Sequence, residues 1–582
     1  MTYMDEADFG EVDYAPELIA HAQVGDGPIP VETVRQALAI IDRAQVLETL
    51  EQWRVEDQIA GLVPTYRGGR KPAVSDRAAL ALMMICALSG QAFLGTIMAN
   101  MVRSRLDDES LELLHIEAGD ANEQNWYERI LRSVHRFMGS IDPHRALPKR
   151  TRISSDDFAA MVPVALRKAN PTPEDLLHDC ANPLLSIEEV KQRTERLHLV
   201  CNLLLKGTYL LLPRRVRRDW HGNTCIDGTF VKAFGKFTKT NANGREAIEP
   251  FARPYIKEDT LFGYGWELHT AVAAQNEPDK KPTFPHIVVT VSFDQSQQRT
   301  AENTLMCYST YLSLGYPPGG YAIGDRAYFT SSDPWKSQHP MHLMGFKLGK
   351  DYRENQLGRK AWFAGAIQVE GQWYCEKMPK SLITASQDLR SEGIDEPTYY
   401  LRIEARKMWQ AKRKSLRDAK GNVRYMHPVD EAGNPYCHER REGNFDDAPQ
   451  FCTQKSVLFP IESDKGKAQE LPYKSKEWRA MYSFPRNAVE SSNASLKSQR
   501  FGLDKSSRRR MRSQAIQFLM STLVVAASNV KKIIDFRKDE GDPKQAKEKR
   551  RLQRKPRVFN GYAWTQPPTA SPPPELALVQ DE

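Results

Sequence analysis

Cysteine is scarce in this 582-residue chain, and its eight cysteines are widely spaced. Small secreted folds that depend on disulfides are rich in cysteine, so this composition argues against that class. The chain also opens without a signal-peptide pattern, because residues 1–18 carry six acidic side chains instead of a basic start and an apolar stretch. Both features predict a reducing intracellular location, the cytoplasm.

Long uninterrupted apolar runs are also missing. Residues 78–102 are long enough to span a bilayer, but Ser89 and the pair Gly90-Gln91 break the run. We therefore predict two buried helices there and no membrane segment. Residues 515–530 are shorter and more polar, and we interpret them as a core helix.

Charge of neither sign dominates the whole chain, which carries 82 Lys and Arg against 74 Asp and Glu, a net charge of +8. The distribution is uneven, because residues 500–557 hold 18 basic residues against 6 acidic ones. A basic run is often only a solvated face. The size of this excess favours contact with the phosphate backbone of double-stranded DNA, and 214–218 form a second basic cluster.

The chain is too long for one hydrophobic core, and its patterns change along its length. Helical periodicity in 31–60 and 76–140 gives way to short strands at 224–233, 264–273, 286–292 and 320–324, with a helix at 299–313. We predict an α/β protein with six segments: an acidic flexible start and amphipathic helix (1–65), a helical DNA-binding region (66–215), the first part of a catalytic domain (216–350), a turn-rich, partly β insertion (351–470), the second part of the catalytic domain (471–535), and a basic, Pro-rich disordered tail (536–582).

Two aspartates lie in or beside predicted strands. Asp227 interrupts the strand-like run CIDGTF, and Asp325 follows the short strand in AIGDRAYF. Asp-Gly is a common hairpin turn, and Asp325 at the end of a strand is a suitable cap. The carboxyl ends of strands in α/β sheets are also where active sites lie, so both interpretations stay open.

A third carboxylate lies on a predicted helix. In 486-RNAVESSNASLK-497, Arg486, Glu490 and Lys497 share one helical face with Asn493. A solvated Arg–Glu pair is the ordinary interpretation of such a stripe. If the helix packs on the sheet, however, three converging carboxylates would repel one another, and Mg²⁺ or Mn²⁺ would compensate them.

These three blocks, in this order, resemble the RNase H-like catalytic domain of bacterial insertion-sequence DDE transposases. The resemblance covers 223–350 and 471–530, and loosely 67–140, which is similar to a helical domain that binds transposon ends. It matches Asp227, Asp325 and Glu490 to the family's catalytic, metal-binding triad. Arg486 and Lys497 match its helical signature, whereas Ser483 occupies the tyrosine position and Tyr482 lies one residue early.

The resemblance implies an RNase H-like mixed sheet flanked by helices, with an insertion before the glutamate helix. It implies two Mg²⁺ or Mn²⁺ ions per site, strand cleavage at element ends, strand transfer into target DNA, a homodimer on DNA and a prokaryotic host. Arg486, Lys497 and the run Arg508, Arg509 and Arg510 are the predicted DNA ligands. The insertion's Trp362, Trp373 and Trp409 are candidates for base stacking, with core packing as the alternative.

Two further sites are weaker candidates. Strand alternation puts Glu267 and His269 on one face. The family often has a histidine in this strand, so the resemblance makes His269 a candidate for supporting the triad, with an ordinary surface or core histidine as the default. In the insertion, His427, Cys437, His438 and Cys452 follow an H-x9-C-H-x13-C pattern that Cys375 could join. This spacing is wider than in zinc fingers, so unpaired cysteines are the default and structural zinc is the alternative.

Other functions remain open from the sequence. A metal-dependent nuclease on the same fold would share the triad without joining DNA ends, and an inactive DNA-binding remnant would share the basic surface. A basic α/β protein whose carboxylates only cap turns is the third alternative.

Overall fold

The computed structural model describes 27–61, 71–117, 122–144, 185–234, 252–257, 260–278, 282–329, 331–443 and 448–541, together with short pieces at 119, 153–154, 245–246, 249, 280, 558–559 and 564–565. The predicted acidic start before residue 27 and most of the predicted basic tail after 541 lie outside these residues.

The N-terminal third of the described chain is helical. Its helices are α1 (Val31–Arg43), α2 (Val46–Ile59), α3 (Asp76–Leu88), α4 (Gly95–Asn100), which continues as a π-helical turn (Met101–Arg105), α5 (Asp108–Leu113), α6 (Glu123–Gly139), α7 (Ile187–Tyr209) and α8 (Arg214–Asp219). The Ser75 hydroxyl accepts a hydrogen bond from the backbone N–H of Ala78, the N-cap arrangement that stabilises a helix start.

Two features of this region bear on the sequence predictions. The single helix expected over 31–60 is wrong, because Gln45 takes a left-handed conformation (φ 52°) and separates α1 from α2. The break expected within 78–102 is confirmed, since α3 ends at Leu88 and α4 starts at Gly95. Among the described residues, no helix is long and apolar enough to cross a membrane.

A curled mixed sheet lies at the centre of the molecule. Its strands are β1 (Thr224–Lys232), β2 (Arg253–Lys257), β3 (Thr260–Ala273), β4 (Val288–Gln295), β5 (Tyr321–Gly324) and β6 (Lys347–Lys350). Strand β3 pairs antiparallel with β1 on one side, and with β2 and β4 on its other side. On the far side of β1, strand β5 pairs parallel with β1, and β6 pairs parallel with β5. The strands predicted from 224, 264, 286 and 320 are thereby confirmed.

The pair Asp227-Gly228 lies inside β1, where Asp227 is opposite Thr270 and Gly228 is opposite His269 on β3. The alternative that this dipeptide forms a hairpin turn is therefore wrong. A Cβ atom at Gly228 would lie 2.2 Å from the Glu267 Oε1 atom, so the Glu267 side chain occupies the space above this glycine.

Helices cover the sheet and connect its strands. Helix α9 (Thr300–Ser313) follows β4, and α10 (Gln338–Leu343) precedes β6. The two C-terminal helices, α16 (Lys476–Leu496) and α17 (Gln514–Gly541), are separated by residues 497–513, and most of the first half of α17 is buried, as expected for the core helix predicted over 515–530. Pro485 lies within α16, which nevertheless continues to Leu496.

The insertion contains two small antiparallel sheets and several short helices. One sheet holds β7 (Arg359–Phe363), β8 (Ala366–Val369) and β9 (Gln372–Cys375), and the other holds β10 (Lys412–Arg413), β11 (Val423–Met426) and β12 (Val457–Phe459). Its helices are α11 (Lys380–Ile383), α12 (Ala385–Arg390), α13 (Glu396–Ala405), α14 (His438–Glu442) and α15 (Gln450–Thr453). The predicted partly β character is confirmed.

Elsewhere the described chain has short 3-10 turns and two-residue strands. The turns are Pro334–Lys336, Glu354–Gln356, Arg406–Trp409, Ile461–Ser463 and Ser506–Arg508, and the strand pairs are Ile153–Ser154 with Arg245–Glu246 and Val558–Phe559 with Trp564–Thr565.

The N-terminal helices and the central sheet share one continuous hydrophobic core. Two buried asparagines attach helices to the backbone of β4. Asn202 on α7 accepts from the N–H of Val291 (2.8 Å) and donates to its carbonyl (3.0 Å), and Asn529 on α17 does the same with Val288 (both 2.8 Å). The amides thus satisfy backbone groups that a neighbouring strand would otherwise pair.

Replacing Asn529 with Leu should destabilise the protein strongly. The substitution leaves the buried N–H and carbonyl of Val288 without a partner, which we expect to lower the free energy of unfolding by about 2–4 kcal/mol. Chemical denaturation followed by tryptophan fluorescence measures this loss. The exposed Asn125→Leu is the matched control and should change stability by less than about 0.5 kcal/mol; equal effects of the two substitutions would contradict the assigned role.

Candidate active site at the edge of the central sheet

The parallel pairing of β1 with β5 brings the two predicted aspartates together. The last pair in the register is Ile226 with Gly324, so Asp227 and Asp325 are the next residues on the two strands. Adjacent strands lie about 4.8 Å apart, and residues at equivalent positions face the same side of the sheet. Two residues that are 98 positions apart in sequence thus become neighbours, Asp227 inside β1 and Asp325 directly after the carboxyl end of β5.

The Asp227 side chain is 18% exposed and has two side-chain partners. Its Oδ1 lies 3.5 Å from Arg486 Nη1, and its Oδ2 accepts a hydrogen bond from Asn493 Nδ2 at 3.1 Å. Burial raises the pKa of Asp227, the charge of Asp325 raises it further, and the Arg486 guanidinium opposes the rise. The net upward direction shows that the cluster does not fully compensate this negative charge.

Helix α16 carries Glu490 to the same place. Arg486 lies between the carboxylates, because its Nη2 is 3.0 Å from Glu490 Oε1 while its Nη1 faces Asp227. The Glu490 side chain is 58% exposed. Burial tends to lower the pKa of Arg486, but Asp227 and other neighbours raise it above its ordinary value, so this arginine stays charged.

Asp325 also performs the capping role considered from the sequence. Its Oδ1 accepts a hydrogen bond from the backbone N–H of Ala327 at 2.8 Å. This bond fixes one oxygen of a half-buried carboxylate. Capping and membership of the acidic cluster are therefore compatible in this structure.

The donor set suits a hard divalent cation. Asp227 and Asp325 offer carboxylate oxygens from adjacent strands, and Mg²⁺ and Mn²⁺ prefer such ligands. Burial raises the pKa of Asp227, and Arg486 opposes this rise only in part. A further positive charge beside Asp227 would stabilise its ionised form. Glu490 is the third carboxylate, but it pairs with Arg486, and the carboxylate oxygens of the three residues do not all lie within 4.8 Å of one another in this structure.

Sequence reasoning missed the residues that orient Asp227. Asn493 belongs to the polar stripe of α16 but had no predicted role, and it is buried. The Thr270 hydroxyl lies 3.5 Å from Asn493 Oδ1 and 3.4 Å from the Asp227 carbonyl. Only Asn493 had a signal in the sequence, because it lies seven residues after Arg486 and therefore on the same face of the helix. Thr270 had no such signal.

A third aspartate, Asp351, directly follows β6, at the same end of the parallel strands as Asp325. Arg326 donates two hydrogen bonds to its Oδ2, at 2.9 and 2.8 Å, and the Tyr473 hydroxyl donates to its Oδ1. Burial would raise the pKa of Asp351, but these partners and Lys474 hold it below its usual value. Asp351 is therefore neutralised by protein groups, and its role here is structural.

His269 lies on the other face of the sheet from the Asp227 carboxylate. It pairs with Gly228, the residue after Asp227, and successive side chains point to opposite faces. Its Nδ1 lies 2.9 Å from the Tyr328 hydroxyl. Burial, then the charges of Glu267, Asp227 and Asp325, raise the pKa of Tyr328 well above its usual value. Any support from His269 to the triad therefore passes through Tyr328.

The predicted DNA ligands do not share one environment. Lys497 is exposed at the end of α16, whereas Arg486 is engaged with the carboxylates. Arg508 donates to the Arg500 carbonyl (2.9 Å), and exposed Arg510 donates to the Ser507 carbonyl (3.2 Å).

Arg509 requires a correction, because it is 1% exposed and points inward. Its guanidinium donates to the carbonyls of Gly502 (3.3 Å) and Lys232 (3.5 Å). Burial lowers the pKa of Arg509 to about 10, against the opposing charge of Asp504. Arg509 therefore anchors the loop before α17 to β1 and does not belong to a DNA-binding surface.

The candidates in the insertion also separate. Trp362 is 53% exposed, while Trp373 is buried and Trp409 packs against a small core. Cys375, His427 and Cys437 converge, whereas His438 is exposed and pairs with Glu442 at 2.9 Å.

Comparisons of this chain with protein-family models, with curated proteins and with solved structures found no match.

The adjacent arginines Arg509 and Arg510 provide a matched test of the basic surface. If the basic run contacts DNA as the sequence predicts, Arg510→Ala should weaken DNA binding and reduce the slope of log affinity against log salt by about 0.9, the value for one phosphate contact, while stability stays unchanged. Arg509→Ala should lower the melting temperature, because buried backbone carbonyls lose their donor. Filter binding over a salt series and thermal unfolding measure the two effects, and a reversed pattern would contradict this assignment.

Proposed function

We propose that this protein is a DNA transposase that cleaves strands at element ends and transfers them into target DNA, using an RNase H-like catalytic domain. The observation that carries the proposal is the parallel pairing of β1 with β5, which makes Asp227 and Asp325 neighbours, with Glu490 tied to Asp227 through Arg486. The mixed sheet flanked by helices and the insertion before α16 support the same proposal.

Asp227, Asp325 and Glu490 are the residues that would hold Mg²⁺ or Mn²⁺. When bound, such ions supply Lewis-acid activation of an attacking hydroxyl and stabilisation of the leaving oxygen of a phosphodiester. Asn493 and Thr270 orient Asp227, and the capping bond from Ala327 orients Asp325. This pre-positioning lowers the reorganisation needed during reaction.

Arg486 has two tasks in this proposal. Without a cation it neutralises the acidic cluster, because it contacts Asp227 and Glu490 at once. A cation held by the carboxylates would take over this compensation, and the guanidinium would then be available for a DNA phosphate, for which its planar fork is well suited. Exposed Lys497, one helical turn beyond Asn493, is the second phosphate ligand on this face.

Asp325→Asn should abolish Mg²⁺-dependent nicking of a supercoiled plasmid that carries the element's flanking DNA. Losing one ligand removes several kcal/mol of transition-state stabilisation, so the rate should fall at least about 100-fold, while DNA binding and thermal stability are retained. The exposed helical Glu302→Gln is the control and should nick normally. Unchanged nicking by Asp325→Asn would remove this residue from the mechanism.

A strand-transfer assay separates the transposase from the nuclease alternative. Pre-cut flanking DNA with a free 3′-hydroxyl, a target plasmid and Mg²⁺ should yield joined products with the wild-type protein and none with Asp227→Asn. Cleavage without joined product would favour a nuclease. Binding without cleavage would favour an inactive remnant.

A further inference from the structure

Four potential metal ligands meet in the insertion, far along the chain from the acidic cluster. Cys375 ends β9, His427 follows β11, Cys437 precedes α14, and Cys452 lies in α15. All four are at most 2% exposed. They come from four separate segments, so local sequence does not account for their convergence.

The spacing of their side-chain atoms suits one ion. The Sγ atoms of Cys375 and Cys437 and a ring nitrogen of His427 all lie within 4.8 Å of one another. Ligands at about 2.0–2.3 Å from a tetrahedral zinc ion are about 3.3–3.8 Å apart, so a small contraction would complete the site. The Cys452 thiol lies beside Cys375 and His427. It is not part of the group within 4.8 Å, so a local shift of α15 would bring it in as the fourth ligand.

His427 is already oriented as a ligand. Its Nδ1 lies 3.1 Å from the Pro428 carbonyl, so this nitrogen carries the proton and Nε2 keeps its lone pair. A backbone carbonyl commonly fixes a ligating histidine in this way. Nε2 is buried and has no hydrogen-bond partner, an arrangement that is unfavourable unless another group satisfies it.

Two alternatives explain the cluster less well. As ordinary core cysteines, three thiols would crowd around an unsatisfied imidazole nitrogen. A disulfide would use two sulfurs and still leave Nε2 without a partner, and all three cysteines are free in the structure. A metal ion satisfies the three sulfurs and the nitrogen simultaneously.

We infer that Cys375, His427, Cys437 and Cys452 form a structural Cys₃His zinc site. Thiolate and imidazole ligands select zinc over hard cations such as Mg²⁺. Four protein ligands fill a tetrahedral shell and leave no position for substrate, so the site is structural. This inference does not depend on the proposed function.

The zinc would connect the two small sheets of the insertion. Cys375 belongs to the first sheet, and His427 directly follows a strand of the second. The apolar cluster beside them contains six buried residues: Ala366, Trp373, Ala411, Phe451, Val457 and Phe459. Such a small core gives limited stability, and small modules commonly add a metal for this reason.

Elemental analysis of the full chain, purified without a histidine tag or chelator, tests the site. We expect about one zinc per chain in the wild type and at least about tenfold less in Cys437→Ser. Cys86→Ser, which changes an equally buried cysteine in α3, is the matched control and should keep its zinc. Equal zinc content in the two variants would overturn the site.

Measurements on the wild type keep the inference testable if Cys437→Ser does not fold. Chelator treatment should make Cys375, Cys437 and Cys452 newly reactive towards iodoacetamide, while Cys86 stays protected, as mapped by mass spectrometry. Replacement of zinc by Co²⁺ should produce thiolate-to-cobalt charge-transfer absorption. Wild-type protein that contains no zinc and takes up no Co²⁺, or a Cys375–Cys452 disulfide in freshly purified protein, would overturn the inference.

Discussion

The parallel pairing of β1 with β5 is the constraint on which the rest of the site depends. It aligns Ile226 with Gly324, so the next residue on each strand is an aspartate. A shift by one residue would turn one carboxylate to the opposite face. On the other side of the sheet, Asn202 and Asn529 attach α7 and α17 to the backbone of β4.

Electrostatics explains why α16 lies where it does. Two neighbouring carboxylates repel each other, and partial burial adds a desolvation penalty. Arg486 and Asn493 from α16 offset both effects at Asp227, and Arg486 also contacts Glu490. The helix is therefore attached to the sheet edge by the same groups that the proposed chemistry uses.

Local patterns predicted much of the fold. The strands that became β1, β3, β4 and β5, the helix α9, and the break between α3 and α4 follow from period-2 and period-3.6 patterning and from glycine. The errors have local and tertiary causes. Gln45 divides a helix that periodicity makes continuous, and Arg509 is an inward-pointing member of a basic run whose sequence neighbours remain accessible.

Local sequence patterns predict which segments form strands and helices, because these preferences depend on neighbours a few positions away, and residue type alone supplies the acidic, basic and thiol groups. Which of these residues meet depends on the long-range packing of the chain. The β1–β5 register brought Asp227 to Asp325. The β1–β3 pairing placed His269 opposite Gly228, on the other face and beside Tyr328, since alternate residues of a strand face opposite sides. Likewise, the packing of two small sheets brought Cys375 to His427 and Cys437. Such long-range contacts depend on register and packing, which no local spacing encodes.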